Sequence, residues 1–493
     1  MVEIKEKEIV KELTDISGIK GTELKIGEAT KRITDKRELA KEFLEIQPIH
    51  YDKSKLWWVW NFKDFCWLIV DETDILNKVA EACDVNVINS RERNEILEAI
   101  KQISRLNKPK PSKNTWIQFK NKIIDIETNE TFEASPKYFI TNPIPQEIGE
   151  SEETPNMDRI FEQWVGKDYV QTLYEIISYC LLPDYPIHRL FCLFGEGLNG
   201  KSKYLELVNR FIGLENITTT ELDRLLESRF EITNLYKKLV CIMGETNFSE
   251  MRKTSVLKRL TGQDLIGYEY KGKNPFQDYN YAKILISTNN IPPSDDKTIG
   301  FLRRWCIIDF PNRFSEKKDI LGEIPKEEYS NLASKCIKIL KSLLKKREFH
   351  NEGSIEERGL KYEEKSNPFE KFWKERIEED TEKHIFKFEF KKELESWCKE
   401  NHFRVLSDVV LAKNMKEKGI ESQKVSADWY SNEGIQKRYN AWVSINWKFV
   451  SRRQGCQPES HSILRVCKTS RDSPDTLVTP TKLNIEEERV EKP

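Results

Sequence analysis

One short segment combines glycines, an amide, a lysine and a hydroxyl in a spacing that suits phosphate binding. In such a loop, glycines let successive backbone N–H groups point at phosphate oxygens, and the N-terminus of a following helix adds positive potential. The lysine reaches the β- and γ-phosphates, and the hydroxyl ligates Mg²⁺. The segment therefore predicts a site for ATP or GTP. Its residues, which fit GxxxxGK[ST] in full, are Gly195, Glu196, Gly197, Leu198, Asn199, Gly200, Lys201 and Ser202.

A carboxylate and an amide follow this loop at the ends of apolar runs. Glu245 ends the run that begins at Leu239, and Asn289 follows the run 282–288. A carboxylate at a strand tip suits the metal and the attacking water, and an amide can bridge that water and the γ-phosphate. Each pattern alone also fits a solvated glutamate or a turn-forming asparagine. Their position after a P-loop favours the catalytic interpretation.

Two adjacent arginines, Arg303 and Arg304, lead into one more apolar run. They fit ordinary surface charge. They fit equally an arginine finger, in which a guanidinium offsets transition-state charge at the nucleotide of a neighbouring subunit. The residues by themselves leave both interpretations open.

The surrounding elements must bring these groups together. The apolar runs LFCLF, KKLVCIM and AKILIST are typical of strands buried in a parallel sheet, and a loop and a helix follow the first of them. Residues 190–310 are therefore predicted to form an α/β domain.

Five segments in this order resemble the superfamily 3 helicases, and most closely the phage and plasmid primase family that includes the poxvirus primase-helicase. They read GEGLNGKS, GETNFS, LKRLTGQDLIGYEYKGK, STNNIPPSDD and GFLRRWCIIDF. The resemblance implies an AAA+-type P-loop ATPase core at 183–320 that assembles into a ring, expected to be a hexamer. The segment from WIQFKNKIIDIET to the P-loop resembles the region that precedes this core in the family.

The same resemblance implies roles for single residues. Glu245 is the Walker B carboxylate, Asn289 is the first sensor, and Arg303 or Arg304 is the finger acting in trans, with Arg304 favoured because Trp305 follows it. Residues of the motif between Walker B and the sensor are expected to line the central channel and hold nucleic-acid phosphates without reading bases. They are Lys258, Gly262, Asp264 and Lys271.

Two positions depart from that family's pattern. Gly244 stands before Glu245 where many Walker B strands have a second acidic residue, and Lys203 follows Ser202 where a threonine is common. Mg²⁺ is expected on Ser202 and Glu245, with Glu245 mainly polarising the attacking water. Both departures leave the hydrolysis rate open.

Residues 366–450 are predicted to form two helices followed by a β-hairpin, which is the order of a winged-helix domain. The helices cover FKFEFKKELESWCKENHF and LSDVVLAKNMKEKGI, and Ser407 is a candidate N-cap of the second. In this interpretation Lys413 and Lys416 contact DNA phosphates. The near-neutral charge of the region leaves open a helical lid or an oligomerisation module.

The flanking regions complete the predicted order of domains. The aromatic run WWVWNF is expected in a core rather than as a base-stacking platform, and no paired-carboxylate motif indicates a primase site, so priming would belong to a separate polypeptide. The predicted segments are a charged helical arm at 1–40, an α+β domain at 41–145, a helical connector at 146–182, the ATPase core at 183–320, a helical segment at 321–365, a winged helix at 366–450 and a flexible tail at 451–493.

Composition limits the kinds of partner. Lysine and arginine total 81 against 82 aspartates and glutamates, and the formal net charge of −1 excludes a uniformly basic nucleic-acid coat. Any DNA surface must therefore be a local groove or channel. The 10 cysteines show no zinc-ligand spacing, and no apolar run is long enough to cross a bilayer. We therefore expect a soluble, cytoplasmic protein with reduced thiols.

These observations together predict an ATP-dependent DNA helicase that acts in replication of a viral, plasmid or integrated element. Single-stranded DNA in the channel, duplex DNA at the fork and further copies of the chain are the expected partners. Two other classes stay open. One is a nucleic-acid-stimulated ATPase that packages or remodels DNA, and the other is an origin-binding initiator that uses ATP as an assembly switch.

Overall fold

The computed structural model describes residues 36–83, 89–120, 122–244, 251, 253–315, 319–400, 403, 405–426 and 438–448. Most of the predicted N-terminal arm and the whole predicted tail at 451–493 lie outside these residues, and so does the tip of the C-terminal hairpin. All elements named below lie at or before Trp447, within one unit of the chain.

An antiparallel sheet near the N-terminus is covered on both of its faces. Successive residues of a strand point to opposite faces, so Trp57 packs against helices while Trp58 and Trp60 pack on the other side of the sheet. These three indoles are at most 2 % exposed, which confirms the predicted core. The elements are β1 (Ile49–Tyr51), β2 (Trp57–Asn61), β3 (Cys66–Val70), α1 (Lys36–Ile46), α2 (Glu72–Cys83) and α3 (Ser90–Ser104).

A small meander follows, as its alternating apolar and turn residues predict. Asp125 stabilises its turn by accepting hydrogen bonds from Lys113 Nζ and Trp116 Nε1, both at 3.1 Å. The meander consists of β5 (Trp116–Phe119), β6 (Lys122–Asp125) and β7 (Thr131–Glu133), and β9 (Pro143–Ile144) pairs with β5 in parallel. The short strands β4 (Lys110–Pro111) and β8 (Tyr138–Phe139) form a separate two-stranded sheet.

The central domain is built on a five-stranded parallel sheet with the order β11–β12–β15–β10–β16. Its two faces belong to two separate hydrophobic cores, which explains why the strands are continuously apolar. The predicted α/β class is confirmed. The strands are β10 (Leu190–Phe194), β11 (Ile217–Thr219), β12 (Val240–Met243), β15 (Lys283–Thr288) and β16 (Trp305–Asp309).

Helices cover both faces of this sheet. One core includes α4 (Pro155–Val165), α5 (Lys167–Cys180), α6 (Lys201–Ile212) and α10 (Lys326–Lys346). The other includes α7 (Leu222–Glu227), α8 (Thr254–Leu260), α9 (Ile299–Leu302) and α11 (Ile355–Ser366). A two-stranded hairpin of β13 (Leu265–Tyr268) and β14 (Phe276–Tyr279) stands apart from the parallel sheet.

The last described part has a hydrophobic core of its own. Both predicted helices and the antiparallel pair that follows them are present, and the Ser407 hydroxyl accepts from the Val410 N–H at 3.4 Å as the predicted N-cap. A helix and a strand precede them, and the sheet order is β17–β19–β18. The elements are α12 (Pro368–Arg376), β17 (Ile377–Phe386), α13 (Lys387–Glu400), α14 (Asp408–Glu417), β18 (Ser422–Ser426) and β19 (Arg438–Trp447).

Candidate nucleotide-binding site

The predicted phosphate-binding loop joins β10 to α6 at the carboxyl edge of the parallel sheet. Gly200 adopts φ +96°, and a Cβ atom there would lie 2.5 Å from the Trp164 ring. A Cβ atom on Gly195 would lie 2.5 Å from the carbonyl oxygen of Phe310. Because neither position has room for a side chain, both glycines are required by the packing as well as by the motif.

The Lys201 side chain closes the loop from within. It is buried, and its Nζ donates to the carbonyl oxygens of Gly195 at 2.6 Å and Glu196 at 2.9 Å. It also donates to Asn199 Oδ1 at 3.0 Å and to Asn289 Oδ1 at 3.2 Å. The structure thus brings together the lysine and the sensor amide that the sequence separates by 88 residues.

The first turn of α6 presents the hydroxyl needed for a metal. Ser202 is exposed there, directly after the buried Lys201. Strand β12 runs to Met243 beside β15, so the chain enters the predicted Walker B position from the same sheet edge. Glu245 itself lies outside the described residues. The narrow glycine turns, the lysine and the exposed hydroxyl fit a triphosphate with Mg²⁺, and Ser202 would hold the ion.

Arg304 does not have the surroundings of an arginine finger. Only 7 % of it is exposed, and its Nε donates to Thr261 Oγ1 at 2.8 Å. Its two terminal nitrogens donate to the carbonyl oxygens of Lys258 and Gly300 in the same chain. Burial, followed by the charge of Arg303, lowers the pKa of this guanidinium. A finger must reach another subunit, and these contacts of Arg304 all lie within its own chain; the assignment of the finger to Arg303 or Arg304 stays a prediction.

Arg303 is less enclosed than Arg304. It is half-buried, and its Nε has no hydrogen-bond partner among the described residues. The two arginines differ because they stand where α9 ends and β16 begins, so consecutive side chains leave the backbone in different directions. Sequence proximity to Trp305 carried no information on this point.

The predicted channel motif divides into two parts. Lys258 is paired with Asp296 at 2.7 Å. Burial raises the pKa of the Asp296 carboxyl, but hydrogen bonds from Lys258, Thr254 and Thr298 outweigh burial, so the pKa is lowered. A Cβ atom on Gly262 would lie 2.6 Å from the Lys258 carbonyl oxygen. These residues build the pocket around Arg304, and Lys258 is paired within the chain. Their assignment as DNA contacts stays a prediction.

The second part is exposed. Lys271 lies in the loop between β13 and β14, next to Gly272 at φ +78°, and Asp264 precedes β13 on the surface. Lys273 stands in the same loop and was missed by the sequence analysis, although its Lys-Gly-Lys context was the available signal. The loop end of the hairpin, where Phe276 pairs with Tyr268, packs against the aromatic cluster of the N-terminal sheet. In this cluster the Trp58 and Tyr236 rings lie 6.2 Å apart and the Tyr236 and Phe276 rings 4.8 Å apart.

The C-terminal lysines are also on the surface. Lys413 and Lys416 are exposed on α14, where Val409 is 80 % exposed as well. Lys418 differs, since it pairs with Glu370 at 2.8 Å.

A cleft of about 460 Å³ lies away from the phosphate-binding loop, between the meander and the opposite edge of the central domain. Several of its polar groups are paired with one another. Tyr281 donates to Asn142 Oδ1 at 2.8 Å, and Lys237 pairs with Asp278 at 2.8 Å. The cleft therefore belongs to the junction between two parts of the chain and not to the nucleotide site.

No helix within the described ranges combines the length and the apolar character needed to span a bilayer. In the same ranges, no three His, Cys, Asp or Glu side chains form a cluster that could hold a metal ion.

Comparisons with known proteins agree with the motifs. Residues 38–167 match the family described as "D5 N terminal like", and residues 193–304 match a family of unknown function (DUF5906). The Acanthamoeba polyphaga mimivirus protein named "Putative helicase L207/L206" is 26 % identical over 229 residues, which are 43 % of this chain. The match spans only 23 % of that relative.

Solved structures of the NrS-1 C terminal region in its apo form are also similar, at 14 % and 12 % identity. The match covers 83 % of this chain and 99 % or 100 % of those chains, with a TM-score of 0.43. Its sequence matches thus make the chain similar to the family described as "D5 N terminal like" over residues 38–167, and to a viral protein named as a putative helicase over part of its length.

Proposed function

We propose that this chain is an ATP-dependent DNA helicase that unwinds duplex DNA during replication of a viral or related element. The observation that carries the proposal is the contact of Lys201 with Asn289 across the tips of two neighbouring parallel strands. This contact unites a phosphate-binding lysine with a group able to orient the attacking water. The relationship to viral primase-helicases supports the choice of a helicase among P-loop enzymes.

The proposed fold is an AAA+-type core between an N-terminal α+β domain and a C-terminal winged helix. The order helix, strand, helix, helix, strand, strand at 368–447, with β19 between the other two strands, supports the winged-helix assignment. ATP would bind at the loop with Mg²⁺ on Ser202 and Glu245. Lys201 would leave the carbonyl oxygens of its own loop and bind the phosphates, because the negative charge of a triphosphate is the stronger acceptor.

The site would be completed by a second copy of the chain. Arg303 of the neighbouring subunit would offset charge that develops on the transferred phosphoryl group. A ring, proposed as a hexamer, would hold single-stranded DNA against the hairpin loops, where Lys271 and Lys273 contact phosphates independently of sequence. Lys413 and Lys416 would contact duplex DNA beside the fork, and a separate polypeptide would supply any primase activity.

A forked-duplex assay tests this proposal. Purified chain should separate the strands with ATP and Mg²⁺, and Lys201→Ala should lose both hydrolysis and unwinding by at least about 100-fold, because the group that offsets phosphate charge is removed. Lys346→Ala, which removes an exposed lysine in the last turn of α10, is the matched control. Hydrolysis without unwinding would instead indicate a packaging or remodelling ATPase. Slow hydrolysis with binding to a defined duplex site would indicate an initiator.

A further inference from the structure

Three charged side chains join the tip of β16 to the last two turns of α11. Lys361 Nζ lies 2.9 Å from one carboxylate oxygen of Asp309, and Lys365 Nζ lies 2.6 Å from the other. Lys361 also donates to the carbonyl oxygen of Ile307 at 2.8 Å. The lysine side chains are 26 % and 20 % exposed, so their charges are screened less than those of surface ion pairs. We call these three residues the strand-tip cluster.

The strand-tip cluster touches the segment that enters the phosphate-binding loop. Asp309 is the register partner of Phe194, which directly precedes Gly195. The Nζ of Lys365 lies 4.2 Å from the centroid of the Phe194 ring. The Phe310 N–H donates to the Phe194 carbonyl oxygen at 2.8 Å. A displacement of the loop entrance therefore acts directly on the cluster.

The same lysines stand at the entrance to the C-terminal module, residues 368–447. Lys365 is in the last turn of α11, which ends at Ser366, and α12 begins at Pro368. The single residue between the helices, Asn367, caps α12 by accepting from the Phe369 N–H at 3.0 Å. Because only one residue separates the two helices, a rotation of the end of α11 must also move the start of α12.

The charge of the cluster is unbalanced. Two lysines and one aspartate leave one net positive charge beside the loop. Burial raises the pKa of the Asp309 carboxyl, but Lys361 and Lys365 outweigh this and hold it below its ordinary value, so the aspartate stays ionised. By contrast, Glu363 of the same helix forms a balanced and exposed pair at 3.0 Å with Lys297, which precedes α9.

We propose that the strand-tip cluster couples occupancy of the phosphate-binding loop to the position of α11, and through α11 to the C-terminal module. The proposal rests on the proposed function only in taking a nucleoside triphosphate as the occupant. The negative charge of the triphosphate draws Lys365 away from Asp309, and the last turn of α11 and the start of α12 move with it. Lys365 is thus a positioning residue.

Hydrogen–deuterium exchange with a non-hydrolysable ATP analogue tests the coupling. In the wild-type chain, the analogue should change exchange in two places, residues 195–205 and residues 361–376. In Lys365→Met the first change should remain and the second should disappear. The affinity for a fluorescent ATP analogue should fall about 3- to 10-fold, because one partly screened positive charge is removed.

Two further variants separate this result from loss of folding. Lys365→Arg keeps the charge and should keep both exchange changes. Lys297→Met removes the exposed pair between Lys297 and Glu363 of α11 and should also keep both. The inference is overturned if residues 361–376 of the wild type do not respond, or if Lys365→Met still transmits the response. Absence of any response at 195–205 would instead contradict the proposed nucleotide site.

Discussion

At the residue scale, two glycines of the phosphate-binding loop stand where no side chain would fit. Gly195 faces the Phe310 carbonyl and Gly200 faces the indole of Trp164, so groups from two other elements occupy the space that side chains would need. Lys201 completes the arrangement by donating to carbonyl oxygens of its own loop. Nucleotide binding must therefore exchange these internal hydrogen bonds for bonds to phosphate.

Gly200→Ala should lower the free energy of unfolding by about 2–4 kcal/mol, because the new Cβ combines a left-handed backbone with a 2.5 Å approach to the Trp164 ring. Thermal denaturation followed by circular dichroism measures the change. Gly197→Ala is the control. Its Cβ would meet no atom within 4 Å, so its stability should differ by less than about 0.5 kcal/mol. Equal melting temperatures for the two variants would contradict the argument.

At the element scale, single polar residues fix how short strands connect. Asp125 is 2 % exposed at the end of β6 and accepts from Lys113, Trp116 and the Glu127 N–H. Burial raises the pKa of its carboxyl, but these donors outweigh burial and lower the pKa to about 2. The meander therefore depends on an ionised aspartate.

Asp125→Asn should destabilise the chain by about 1–3 kcal/mol at pH 7, because buried donors lose a charged acceptor. Because the pKa of Asp125 is lower in the folded chain, its ionised carboxylate stabilises the fold fully at pH values above its ordinary pKa of 3.8. This stabilisation is lost as the pH falls towards about 2. Chemical denaturation at a series of pH values measures the effect. The difference in free energy of unfolding between Asp125→Asn and wild type should stay constant from pH 7 to about 4 and become smaller only below that. Glu130→Gln, an exposed change in the same turn, should show no such difference. A difference that already disappears near pH 6 would contradict the assignment.

At the scale of the whole molecule, the two adjacent arginines are expected to have different roles, one in folding of the chain and one in assembly of the proposed ring. Arg304 is a packing residue of one subunit, since its donors hold the carbonyl oxygens of Lys258 and Gly300 and the hydroxyl of Thr261. Arg303 is half-buried and retains an unpaired Nε within the described part of the chain. That Nε is itself buried, so in the proposed ring the exposed part of the half-buried Arg303 side chain would meet the next subunit.

Arg303→Ala should keep the melting temperature within about 1 °C of wild type but lower ATP hydrolysis by about 10³-fold, because the transition-state charge of a neighbour is no longer offset. Mixing this variant with Lys201→Ala should restore part of the activity, since each variant then supplies the group the other lacks. Arg304→Ala should instead lower stability by about 2–5 kcal/mol. Loss of hydrolysis without rescue on mixing would show that Arg303 does not act between subunits.

Several features were predictable from the sequence because they depend on neighbouring residues. The glycine spacing of the phosphate-binding loop, the apolar strands of the parallel sheet and the Ser407 cap are all local patterns. The resemblance to the superfamily 3 helicases could also be recognised from the sequence, because five motifs occur in a fixed order. These features follow from backbone geometry and periodicity, which act over a few residues.

Only the tertiary structure decided which charged residues are paired. Lys258 was expected to face DNA, but its partner Asp296 lies 38 residues away, and Asp309 meets Lys365 through the packing of α11 beside β16. Burial likewise distinguishes Arg304, which is 7 % exposed, from the half-buried Arg303. The sequence shows which residues are charged but not what surrounds them. The electrostatic energy of a charge depends on the groups and the solvent that the folded chain places around it.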